Sequence, residues 1–145
     1  MGFLIIATFA AGLFAGAALY ITAVEHPARL SCGTEAAIRE FAPSYKRGTV
    51  MQASLAVVGC LAGLTAGWQR QDPIVFGAAL LLGAVVPFTL VVIFPTNKRL
   101  LDPALDPRGT LALQLLTRWG YLHAVRSMLS TAAFVLFLAR AAGAV

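Results

Sequence analysis

The stretch PIVFGAALLLGAVVPFTLVVIFPTN, residues 73–97, passes 25 positions without one charged side chain. A helix rises about 1.5 Å per residue, so about 20 apolar residues cross the hydrocarbon of a bilayer. The stretch therefore reads as a spanning helix. Working outward, Phe3–Val24 and Gly48–Trp68 are equally free of charge, and Trp119–Ala139 is interrupted only by His123 and Arg126. Four spans follow, at about residues 3–24, 48–68, 73–96 and 119–140, in a single domain covering residues 1–145. The expected fold class is all-α: an integral membrane four-helix bundle with a short amphipathic helix in the first cytoplasmic loop. Composition agrees, because only 12% of the residues are charged and 59% are hydrophobic, whereas a soluble domain carries roughly 25% charge.

Local punctuation refines the scheme. Met1–Phe3 lacks a basic leader and the apolar run is too long for a cleaved signal, so the first segment reads as a permanent span. Thr34 is placed to cap the short loop helix, with Ile38 and Phe41 on its apolar side. Pro43 suits the first turn of the second helix, and Asp106-Pro107 an N-cap and first turn for the fourth, which then runs to about Arg140. Pro87 should kink the third helix. Ala10, Ala11, Gly12, Gly16 and Ala17 offer a small-residue packing face on helix one, as do Gly59, Gly63 and Gly67 on helix two. Cys32 and Cys60 stand far apart with no CxxC, which disfavours a disulfide-exchanging enzyme.

Lysine and arginine set the orientation. Arg29, Arg39, Lys46 and Arg47 lie in the first connection, and Lys98, Arg99, Arg108 and Arg118 in the third. Only Arg70 and Arg140 lie opposite. Short basic loops stay in the cytoplasm, so both termini are expected outside a multi-pass cell-membrane protein. The same rule accounts for the net charge of +5 without invoking nucleic acid.

The chemistry gathers at one depth. Trp119, His123 and Arg126 occupy one helical face through their i, i+4, i+7 spacing. Glu25 and His26 end helix one at the same edge, and Asn97 ends helix three there. Ionisable side chains in such positions are costly unless they have a partner or a use. A pocket of His26, Asn97, His123 and Arg126, walled by Trp119 and by Tyr45 and Tyr121, would hold bases, an amide and a cation for an oxyanion. Bland roles stand beside these: Trp and Tyr as interface anchors, Arg126 snorkelling to headgroups, Glu25 pairing with Arg29 one turn on.

Three stretches carry a resemblance: Val24-Glu25-His26-Pro27-Ala28-Arg29-Leu30, Pro95-Thr96-Asn97-Lys98-Arg99-Leu100, and Trp119-x-x-x-His123-x-x-Arg126. In order and spacing the chain resembles the anthrone oxygenase-like family of small four-helix membrane proteins. The resemblance implies oxidation of a hydrophobic anthrone, phenol or quinone-like molecule with molecular oxygen as co-substrate and no obvious organic cofactor. It also implies that His26, Asn97, Trp119, His123 and Arg126 form the pocket. Two other classes stay open on the residues alone: a haem- or metal-ion-binding protein using His26 and His123, and a non-enzymatic accessory subunit. A small multidrug carrier is disfavoured, because no span interior holds Asp or Glu. The expected partners are a flat aromatic small molecule and membrane lipid; self-association stays open.

The charge asymmetry makes a direct prediction. A reporter active only in the cytoplasm, fused to the C-terminus, should be silent; strong activity would reverse the orientation.

Overall fold

The computed structural model describes residues 1–144. It is all-helical, with no strand among the described residues, and contains four helices long and apolar enough to cross a membrane. They are α1 (Gly2–Ser31), α2 (Thr34–Arg70), α3 (Pro73–Leu100) and α4 (Thr110–Ala141). The chain runs up and down, so that α1 and α3 each pack on both α2 and α4 and stand diagonally across from one another. For reference, the end carrying the α1–α2 and α3–α4 connections is the basic end, and the other holds both termini.

The half of the bundle toward the termini is a small-residue core. Leu4, Ala7, Ala11, Phe14 and Ala18 of α1 meet Ala56, Ala62 and Ala66 of α2, Val75, Ala79, Leu82 and Val85 of α3, and Ala133 and Phe137 of α4. Here α2 and α3 touch through glycine. A Cβ on Gly59 would come within 2.6 Å of Leu82, one on Gly63 within 2.8 Å of Ala79, and one on Gly67 within 2.8 Å of the Phe76 backbone. Gly12 of α1 lies against Phe134, whereas Gly16, expected on the same packing face, is exposed with nothing near it. Within hydrocarbon such close backbone approach replaces the hydrophobic drive that water would supply.

Two helix starts differ from expectation. The amphipathic segment after Thr34 is not a separate helix: it is the opening of α2, with Gly33 at the N-cap and Pro43 inside the helix. Gly33 turns the chain at φ 90°, so Thr34 enters the helix directly instead of capping it. Pro43 removes one ladder bond but faces outward, so its missing donor disturbs no packed contact. Ala37 and Phe41 of these first turns are buried at the basic end with Ile93, Leu100, Leu115, Leu116 and Trp119. The fourth helix begins at Thr110, not Pro107, with Gly109 at its N-cap. The Asp106 carboxylate accepts instead from the Arg108 backbone N–H at 3.0 Å. A local turn thus satisfies the carboxylate before any helix forms.

At the termini end, Gln71 closes α2 in the left-handed conformation, φ 51°. Asp72 then caps α3, accepting from the N–H groups of Ile74 (3.1 Å) and Val75 (3.2 Å) and pairing with Arg140 of α4. Burial pushes the Asp72 carboxyl up, but Arg140 and the two amides outweigh it and hold the group below its ordinary 3.8. A lowered carboxyl contributes stability that is complete above the ordinary value and is lost as pH falls through the lowered one. Asp72→Ala should therefore cost about 1 kcal/mol from the cap alone and more from the loss of the Asp72–Arg140 ion pair. Asp72→Asn keeps a capping oxygen and should cost less, and the wild-type advantage over it should vanish in strong acid. Thermal unfolding in detergent across pH checks this; an advantage that grows with acidification would contradict it.

Candidate active site

The inner backbone is interrupted twice at matching places. In α1 a π-helical turn spans Ile21–Glu25 and is followed by His26-Pro27. In α3 the same arrangement spans Thr89–Ile93 and is followed by Phe94-Pro95. Proline cannot donate to the carbonyl four residues back. The residue before each one, His26 or Phe94, donates instead to the carbonyl five back, at Ile21 and Thr89. Each turn is wider than an α turn and re-aims the side chains on it. Pro87 sits inside α3 just ahead of its π turn, where the glycine contacts with α2 end.

Beyond that point a cavity of about 130 Å³ opens between the helices. Its walls include Phe14 and Ile21 of α1, Gln52 and Ala56 of α2, Val85, Thr89, Ile93 and Asn97 of α3, and Trp119, His123 and Arg126 of α4. Phe41, Ser44 and Tyr45, from the first turns of α2, also line it toward the basic end. Thr49, Ala53 and Leu90 line it too, yet they are exposed on the bundle surface. The cavity thus opens sideways between α2 and α3, toward what would be lipid. An apolar cavity of roughly 150 Å³ holds benzene, so this one encloses about one aromatic ring, and a larger flat molecule would extend into the lateral opening.

The polar groups are few and converge. Arg126 donates to Gln52 Oε1 at 2.7 Å, and its guanidinium lies 5.0 Å from the Phe14 ring centroid. No carboxylate among the described residues pairs with it. Arg126 Nε, Gln52 Nε2 and Asn97 Oδ1 are buried without a hydrogen-bond partner, a state that native interiors rarely leave unexplained. His123, 2% exposed, holds Thr22 Oγ1 at 3.0 Å through Nδ1. Its Nε2 has no protein partner among the described residues.

Trp119 is the hub of the aromatic wall. It stacks on His123 at 4.7 Å, meets Phe41 in a T-shaped contact at 5.4 Å and touches the His26 ring at 5.1 Å. Phe41 in turn stacks on Tyr45 at 5.8 Å. Arg29 lies 5.6 Å from the Trp119 ring centroid. Unlike Arg126, it is compensated: it pairs with Glu25, its Nε lies 2.7 Å from Glu40 Oε2 without the alignment of a hydrogen bond, and it reaches Ser44 at 3.3 Å.

Of the residues singled out in the sequence, Asn97, Trp119, His123, Arg126 and Tyr45 share the cavity wall. His26, Glu25 and Tyr121 do not line it. His26 is buried between α1 and α4, its Nε2 against Gly120 and its ring behind Trp119. Glu25 anchors Arg29 and Ser44 from outside the cavity. Tyr121 points away from the bundle and is 73% exposed. Among the described residues no group of three or more His, Cys, Asp or Glu is placed to hold a metal ion. Gln52, Arg29, Ser44, Thr22 and Ser127 join the site without having been singled out for it. Gln52 had a signal, as an amide in an otherwise apolar span; helical Ser and Thr usually bond their own backbone and gave none.

Comparison with known proteins gives a consistent set of relatives. A family model described as anthrone oxygenase matches residues 41–136. The chain is 35% identical to the anthrone oxygenase tpcL of Aspergillus fumigatus, over 83% of this chain and 79% of that one. It is 27% identical to an anthrone oxygenase of Claviceps purpurea, over 90% of this chain and 84% of the relative. No solved structure gives a significant match.

Proposed function

We propose, for a chain that belongs to the anthrone oxygenase family, that the cavity binds a flat anthrone-type or phenolic molecule and delivers its carbanion to molecular oxygen. The observation that carries this reading is Arg126: a partly buried cation with no carboxylate partner among the described residues, facing an aromatic-walled cavity beside an imidazole with a free nitrogen. A cation so placed favours a ligand that supplies the negative charge.

The methylene opposite an anthrone carbonyl is acidic, because the charge left behind spreads onto that oxygen. His123 Nε2 takes the first proton. Arg126 and the Asn97 amide hydrogen-bond the oxygen as it becomes anionic, in a site with little water to compete. Trp119 packs on the ring face. The electron-rich carbon then reduces oxygen and binds it, giving a peroxide anion that recovers the proton from His123. A second deprotonation at the same carbon breaks the O–O bond, expels hydroxide and forms the new carbonyl. The net change is anthrone plus O₂ to anthraquinone plus water. Oxygen is the oxidant, and the protein supplies a base, an oxyanion cradle and a slot. With both termini outside, as the charge distribution favours, the slot lies toward the cytoplasmic edge and fills from the bilayer between α2 and α3.

Oxygen uptake by the purified protein with anthrones or hydroquinones tests this. His123→Ala should lose about 10² to 10⁴ in kcat, the usual contribution of a general base, while remaining folded in detergent. Trp119→Ala should chiefly raise KM. Failure of the wild type to consume oxygen with any of these molecules, together with no thermal shift on adding them, would remove the proposal.

A further inference from the structure

Two hydroxyls that the chemistry above leaves unused form a chain with the His123 imidazole beside the cavity. Thr22 lies in the π turn of α1 and Ser127 in α4, one turn beyond His123. Thr22 Oγ1 is 3.0 Å from His123 Nδ1 and 2.8 Å from Ser127 Oγ. Ser127 Oγ is also 3.0 Å from two backbone carbonyl oxygens, those of Ala18 and His123.

Counting protons along this chain fixes their direction. Ser127 has one hydroxyl proton and two carbonyl oxygens at hydrogen-bond distance, and carbonyls can only accept. Were that proton given to Thr22, the Ser127 oxygen would face both carbonyls at 3.0 Å with no hydrogen between them, a repulsive contact in a buried place. Ser127 therefore donates to carbonyl and accepts from Thr22. Once the Thr22 proton points at Ser127, its oxygen must accept from His123, which requires the hydrogen on Nδ1. The Nε2 lone pair is then left free, on the nitrogen that has no protein partner. Which nitrogen of a histidine carries the proton is set by the bond its other nitrogen makes.

We infer that Thr22 and Ser127 are positioning residues that hold His123 in the Nδ1–H tautomer, so that Nε2 meets the cavity as a base. The inference rests on the reading of His123 as the base, but the tautomer can be measured without any reaction. The π turn gains a purpose from this, since widening α1 at Ile21–Glu25 is what aims Thr22 at α4 instead of along its own helix.

The test is ¹⁵N NMR of imidazole-labelled protein in detergent or nanodiscs, paired with kinetics. The chain has only two histidines, and a His26→Gln spectrum assigns the signals. Wild type should show His123 protonated at Nδ1. Thr22→Val should lose that preference, and its kcat should fall at least about tenfold, toward the ~10⁴ that a wrong histidine tautomer costs a serine protease, with KM changed less than about twofold. Thr22→Ser should restore both tautomer and kcat. Ser127→Ala removes the acceptor for the Thr22 proton without removing a contact of the imidazole, and should shift the tautomer the same way even where Thr22→Val folds poorly. Wild-type His123 protonated at Nε2, or a valine variant with unchanged tautomer and kcat, or a serine variant no better than valine, would overturn the inference. Absence of oxygen uptake would sink the proposed reaction alone, because the spectra still decide the tautomer.

Discussion

Every backbone N–H and C=O in hydrocarbon must find a partner inside the protein, since an unpaired one costs several kcal/mol there. This constraint makes the chain four long helices, and it also shapes the places where the helices are irregular. Pro27 and Pro95 each leave a carbonyl without its usual donor, and in both cases a π turn lies just ahead, where the residue before the proline donates to the carbonyl five back. These turns are wider than α turns and lie at positions that both contribute to the cavity. On the α2–α3 side, glycine-mediated contact holds the helices together toward the termini, and Pro87 and the π turn lie where those contacts end. The cavity with its lateral opening lies beyond that point, toward the basic end.

Charge is handled in two contrasting ways within the bundle. Arg29 is surrounded by Glu25, Glu40 and Ser44, so its charge is compensated and its guanidinium is free to brace Trp119 and Phe41. Among the described residues Arg126 has only a neutral amide, Gln52, and the face of Phe14. Breaking a buried ion pair by removing one partner is strongly destabilising, so Arg126 carries a standing cost that an anionic or polarised ligand would reduce. Arg29 is thus part of the frame, whereas Arg126 is open to the role in the chemistry that is proposed for it, though the sequence offers both simply as arginines near a span end.

Much of the fold was legible because spans are charge-free and long; that signal needs no knowledge of packing. Helix ends were less so. Asp106-Pro107 has the composition of a helix start, but a local turn competes for the same carboxylate and wins, and Pro43, with the look of a first-turn residue, is carried within α2. For the candidate site, depth was readable and azimuth only partly. The i, i+4, i+7 face of α4 follows from regular geometry, and by the same geometry Tyr121 stands ~200° from Trp119, on the other side of the helix. His26 could not be placed this way, because the π turn ahead of it alters the angular spacing, and it ends behind Trp119 instead of in front. Thr22 and Ser127 were invisible for a related reason: their roles are made by contact between helices, not by spacing within one.

The central claim is that an aromatic anion is held by Arg126 with its reactive carbon toward His123. The most direct measurement is an experimental structure of the protein in a lipid nanodisc with a hydroxyanthraquinone bound. The account predicts ring density against Trp119, one ligand oxygen in hydrogen-bond reach of Arg126 and Asn97, the opposite carbon facing His123 Nε2, and the remainder of the ligand emerging between α2 and α3. Ligand density elsewhere on the bundle, with Arg126 turned to a protein carboxylate or to a headgroup, would contradict it.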